Sequence, residues 1–178
     1  MQILCNTKNV TKILLIIIVL SLPPLAFGHT LKEVTSMEVK KMVQSADEKV
    51  VVLCFWASWC KVCQKHIPEL ENMYQKYKEK EVNVIGVSLD DEAEKADAFI
   101  EKQGITFTTV VAEDKEEMKY VFQISKIPTL LYYTNGTKHH QEAGYTAQDH
   151  IEEDIESCLK GSIAPSKDDI SSHTHSDR

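Results

Sequence analysis

The sequence predicts an α/β domain built on a central mixed β-sheet flanked by helices. Two patterns carry that expectation. Short β-branched runs at residues 50–56 and 82–89 alternate with segments whose apolar residues recur every three or four positions, the signature of strand–helix–strand units. Toward the C-terminus the alternation gives way to a hairpin: 129–133, then Asn135-Gly136, then 137–143. Parallel pairs followed by a hairpin make a mixed sheet.

Each element has its own signal. Residues 31–45 carry Leu31, Val34, Met37, Val39, Met42 and Val43, an irregular helical stripe. Residues 49–56 are almost continuously apolar, which suits a strand covered on both faces. Ile67, Leu70, Met73, Tyr74 and Tyr77 mark a helix, with Pro68 inside it as an expected kink. A second buried strand follows at 82–89. Ala93, Ala96, Phe99 and Ile100 mark another helix that Gly104 closes. Residues 106–111 read as a short strand, and Met118, Val121 and Phe122 as a short helix. Thr146, with Asp149 three residues on, is the expected N-cap of a last helix whose stripe is Ile151, Ile155, Cys158 and Leu159. Gly161 ends it.

The ends differ from the middle. Lys8 and Lys12 precede an apolar run over 13–22, and Ala26-Phe27-Gly28 offers small residues before a cleavage point. That run is shorter than the roughly 20 residues of a membrane-spanning helix. Residues 1–28 therefore read as a signal peptide, with an uncleaved N-terminal anchor as the alternative, and membrane contact is expected only in that second case. Residues 29–161 read as one domain, and the polar segment 162–178 as a disordered tail. The 178-residue chain is 43% hydrophobic and 26% charged, ordinary for a globular protein. A net charge of −7 leaves no basic face for a nucleic-acid backbone.

The chemistry gathers at Cys60 and Cys63. They stand where a buried strand meets a helix, so Cys60 faces unsatisfied backbone N–H groups and the positive end of the helix dipole. Both favour a thiolate, the form that attacks disulfides. The spacing lets Cys63 reach back to Cys60 within one turn. Cys60 is thus the expected attacker and Cys63 the more buried resolver. Other readings of a lone C-x-x-C are half a zinc site, a haem attachment or a structural bridge. No second C-x-x-C follows, His66 lacks a companion ligand, and Gln64 stands where haem attachment needs histidine. No cofactor and no metal are expected; His139-His140 and His173-x-His175 read as solvated residues. Cys54 and Cys158 fall on apolar faces and read as core, their bridging left open. Trp56 reads as core packing, and Trp59, beside Cys60, as substrate-binding surface.

Phe55-Trp56-Ala57-Ser58-Trp59-Cys60-x-x-Cys63 resembles the active-site segment of thioredoxins. Ile127-Pro128-Thr129 resembles their cis-proline loop, and Pro68 falls where their helix carries a proline. The resemblance covers about residues 45–160 and implies a thioredoxin fold, a cis Ile127–Pro128 bond, and substrate binding by Ile127 and Pro128. The extra helix and strand at about 91–111 are similar to those of the TlpA/ResA group of exported thioredoxin-like reductases. Cys54 stands where thioredoxins carry a buried acid, and by position Asp91, with Asp90 and Glu92 beside it, is the best match for the proton-transfer acid some ResA-like proteins use. Lys61 adds positive charge beside the cysteines.

The implied activity is thiol–disulfide exchange, with protein-disulfide reduction as the direction. The implied localisation is periplasmic. The implied partners are disulfide-containing exported proteins, apocytochrome c among them, and an upstream membrane thiol reductant. A disulfide-forming oxidant, or a thioredoxin-fold metal- or protein-binding module, is the alternative.

Overall fold

The structure is a computed structural model, and it describes residues 31–161. The expected signal segment at 1–28 and tail at 162–178 lie outside these residues. Six strands form one sheet: β1 (Glu33–Val34), β2 (Val50–Trp56), β3 (Val82–Ser88), β4 (Thr108–Ala112), β5 (Thr129–Thr134) and β6 (Thr137–Ala143). Five α-helices connect and follow them: α1 (Ser36–Gln44), α2 (Lys61–Tyr77), α3 (Ala93–Gln103), α4 (Lys115–Phe122) and α5 (Gln148–Lys160). The sheet order is β1-β4-β3-β2-β5-β6. The first four strands in that order are mutually parallel, and β5 and β6 are antiparallel additions, so the sheet is mixed as expected.

Strand β2 lies at the centre, and all seven of its residues are buried. Its side chains alternate between two cores, as strand geometry requires. Val50, Val52, Cys54 and Trp56 join Ile67 and Leu70 of α2 and Ile151 and Ile155 of α5 on one face. Val51, Leu53 and Phe55 join Val39 and Val43 of α1 and Met118 and Phe122 of α4 on the other. Two covered faces explain why β2 reads as an unbroken apolar run. Gly86 in β3 permits a close approach: a Cβ there would lie 3.0 Å from Phe107 and 3.2 Å from the Trp56 indole nitrogen.

The structure departs from the sequence reading at three places. Residues 31–45 are not one helix: Glu33–Val34 pair in parallel with Val111–Ala112 before α1 begins. Thr35 separates the two with a capping box, its hydroxyl accepting the Glu38 N–H at 3.2 Å while the Glu38 carboxylate accepts the Thr35 N–H at 2.9 Å. At the other end Ala147, not Thr146, caps α5, and no side chain bonds into that cap. The strand expected at 106–111 starts two residues later, because Glu71 of α2 takes the Thr106 and Phe107 N–H groups at 2.8 and 3.3 Å.

Candidate active site

The parallel pairing of β2 with β3 brings the ends of both strands to one edge. Trp56 stands opposite Ser88, and the chain turns through Ala57–Trp59 into α2. Cys60 is the N-cap of α2, its backbone extended (φ −80°, ψ 109°). The Cys63 N–H points at the Cys60 sulfur, 3.2 Å away. This is one of the helix-end amides without an intrahelical partner, and negative charge on sulfur strengthens such a bond.

The two cysteines differ in access. Cys60 keeps 9% of its surface and Cys63 none. Burial, and then the bond network with Cys60, pushes the Cys63 thiol well above its ordinary range. Cys63 therefore rests as a neutral thiol beneath the reachable Cys60. Across from Cys60 lies the loop before β5. The Ile127–Pro128 bond is cis, and the Ile127 carbonyl oxygen lies 3.9 Å from the Cys60 sulfur. That loop is held from both sides: Gly144 donates its N–H to the Pro128 carbonyl at 2.7 Å, and the Thr129 hydroxyl bonds the Lys126 carbonyl at 2.6 Å.

Trp59 is 62% exposed, whereas Trp56 is fully buried against Phe99. Trp59, Leu89, Ile124 and Ile127 border a hollow of about 250 Å³ with lysines on its rim. A larger hollow of about 850 Å³ lies against α4, around Tyr120 and Gln123, and neither cysteine lines either hollow.

Two neighbouring acids just past the end of β3 sit in different settings. Asp91 turns outward: its side chain is 75% exposed and pairs with Lys115, which holds its carboxyl below the ordinary value. That is a surface ion pair. Asp90 is the buried acid, at 2% exposure. Its carboxylate accepts the Ser58 N–H at 2.9 Å, the Ser58 hydroxyl at 2.7 Å and the Ser88 hydroxyl at 2.7 Å. It clamps the turn that presents Trp59 and Cys60, and Gln64 closes the same turn by donating to the Ser58 carbonyl at 2.7 Å. The in-register pairing of Trp56 with Ser88 explains the position of Asp90. Carried two residues on, it sets Ser58 opposite Asp90.

Cys54 cannot replace a carboxylate as a proton acceptor, since burial drives its thiol far up. All four described cysteines are free thiols, so Cys54 and Cys158 are unbridged core residues. His66 lies one turn past Cys63 on α2, fully buried, with its ring 5.6 Å from that of Tyr145. Burial holds its imidazole below the ordinary value. Among the described residues, Cys60, Cys63 and His66 do not converge as a metal-ligand trio.

Residues 47–132, from just before β2 into β5, match the family model described as Thioredoxin-like. The thiol-disulfide oxidoreductase ResA of Oceanobacillus iheyensis is 36% identical over 105 residues, 57% of this chain and 54% of that protein. The chain thus spans little more than half of that relative's length. The ResA of Bacillus thuringiensis subsp. konkukian is 30% identical over 122 residues, 67% of this chain and 70% of that protein. Among solved structures, a Chlorobium tepidum protein described as the thiol:disulfide interchange protein DsbE superposes with a TM-score of 0.59 at 27% identity, covering 69% of this chain and 84% of its own. A sheet of this order, a helix capped by the first cysteine of C-x-x-C, and likeness running over most of a ResA protein lead to one conclusion: this chain belongs to the thioredoxin-like family, in the group of the ResA proteins.

Proposed function

We propose that this protein is an exported thiol–disulfide oxidoreductase that reduces protein disulfides, with Cys60 attacking and Cys63 resolving. The observation that carries this reading is the Cys60 sulfur at the N-cap of α2, accepting the Cys63 N–H opposite the cis-proline loop. In the first step the Cys60 thiolate forms a bond to one substrate sulfur. The substrate S–S bond breaks, and its other sulfur leaves as a thiolate that takes a proton. In the second step Cys63 gives up its proton and attacks Cys60. The mixed disulfide breaks, the second substrate thiol departs reduced, and Cys60–Cys63 is left as a disulfide. Two electrons have moved from the protein to the substrate. An upstream membrane thiol reductant then restores the pair, and no cofactor enters the cycle.

Trp59, Ile127 and Pro128 are the proposed substrate-binding residues. The hollow that Trp59 and Ile127 line supports that assignment, because Trp59 directly precedes Cys60 and the Ile127 carbonyl oxygen lies 3.9 Å from the Cys60 sulfur. The proposed substrates are disulfide-bearing exported proteins, apocytochrome c among them, met on the periplasmic side. The basic-then-apolar start of the sequence supports export. Among the described residues no helix is long and apolar enough to cross a membrane.

The reduction potential of the Cys60–Cys63 pair tests the direction. A reductase is expected near the roughly −270 mV of thioredoxin. A value close to the roughly −120 mV of a strong oxidant contradicts it.

A further inference from the structure

We propose that His140, Glu142 and Asp154 form a binding site for a divalent transition-metal ion of the zinc class, between the edge strand β6 and helix α5. The sequence reading set His139-His140 aside as solvated residues; the fold gives only one of them partners of this kind. His140 stands opposite Tyr132 and Glu142 opposite Leu130, so the two share a face of β6. That face meets α5, which supplies Asp154. The His140 Nε2 lies 3.4 Å from a Glu142 oxygen and 3.9 Å from Asp154 Oδ2. One ligand atom from each residue lies within 4.8 Å of the other two. Donors around a tetrahedral ion at about 2.0–2.2 Å stand roughly 3.3–3.6 Å apart, so small side-chain adjustments complete the set.

A second observation is independent of this cluster's composition. Tyr132 lies beneath it, fully buried, its ring centroid 5.8 Å from that of His140. Its hydroxyl has no partner at full hydrogen-bond geometry but interacts with the Asp154 carboxylate, and Asp154 and Glu142 are the charges that face it. The Oδ2 of Asp154 is likewise buried without a partner at full hydrogen-bond geometry. Buried polar atoms without full hydrogen-bond geometry are costly, and two of them, on Tyr132 and Asp154, meet beside His140. One imidazole and two carboxylates suit a borderline ion such as zinc, and they leave outer carboxylate oxygens to accept the Tyr132 hydroxyl. Such an ion would tie the closing hairpin to the last helix. The inference is independent of the exchange chemistry proposed for Cys60 and Cys63.

The test is calorimetric titration of the full chain with Zn2+, with the Cys60–Cys63 pair oxidised so that those thiols do not compete. One saturable equivalent is expected, weakened by about tenfold or more in His140→Ala, Glu142→Gln and Asp154→Asn but unchanged in His139→Ala. Thermal melts identify any variant that fails to fold. In the unsubstituted protein, the imidazole NMR resonances of His140 are expected to shift with Zn2+. The proposal is overturned if no saturable equivalent binds, if binding survives Glu142→Gln and Asp154→Asn, or if only His139 or the histidines at 173 and 175 respond. In those cases the cluster is an ordinary ion pair of His140 with two carboxylates.

Discussion

Replacing Asp90 by alanine removes a carboxylate, 2% exposed, that accepts three hydrogen bonds from Ser58 and Ser88. Bonds to a charged acceptor contribute about 1.5–3 kcal/mol each. These three share one carboxylate, so their energies do not add. Ser88 is fully buried and its hydroxyl would lose its acceptor, whereas Ser58 is half-buried and regains water. The expected net loss for Asp90→Ala is about 3 kcal/mol. Asp90→Asn keeps the shape and one acceptor oxygen, so about half that loss is expected. Loosening the turn before Cys60 is also expected to slow disulfide exchange by about tenfold, equivalent to roughly 1.4 kcal/mol of barrier. Urea unfolding followed by Trp fluorescence gives the first quantity, and an insulin-reduction assay gives the second. If Asp90→Ala shifts stability by less than about 0.5 kcal/mol and leaves exchange unchanged, the clamp does not organise the site.

Three further outcomes follow from the same geometry. Gly86→Ala places a Cβ 3.0 Å from Phe107 and 3.2 Å from both Thr109 and Trp56, and denaturant unfolding should show a loss of about 1–3 kcal/mol. For Glu71, burial pushes the carboxyl up, but donors from Thr106, Gln75 and Phe107 outweigh it and hold the group below 4.5. Its folded value is depressed, so its contribution is present above 4.5 and lost as pH falls through that range; Glu71→Gln should flatten the decline of the urea midpoint there, and an unchanged slope counts against the assignment. Trp59→Ala removes a side chain 62% exposed, so stability should move by no more than about 0.5 kcal/mol. Turnover of a protein disulfide should fall while that of a small aromatic disulfide holds, as parallel kinetics would reveal.

What could be read in the sequence had local causes. The unbroken apolar run of β2 follows from burial on both faces, and Gly104 and Gly161 end their helices in left-handed conformations, as expected. Strand β1 could not be read, because two residues carry no periodicity and their partner β4 lies far along the chain. The last helix kept its stripe but not its expected cap, since the helix begins at Gln148, two residues after Thr146, and Ala147 takes the cap position. Cys60 and Cys63 were visible as a motif because both lie within one helical turn. Asp90 was not, because its importance arises from strand register: only the parallel alignment of β2 with β3 sets it against Ser58 rather than leaving it, like Asp91, among the acids opening a helix.

The central claim is the division of labour between the two cysteines, and trapping tests it most directly. Cys63→Ser, mixed with a disulfide-bonded substrate, should accumulate a stable mixed disulfide, and mass spectrometry should place it on Cys60. Cys60→Ser should form none at the pair, since the pair's remaining thiol, Cys63, is fully buried and held neutral. An adduct on Cys63 in Cys60→Ser, or full turnover by Cys63→Ser without an adduct, would contradict the account.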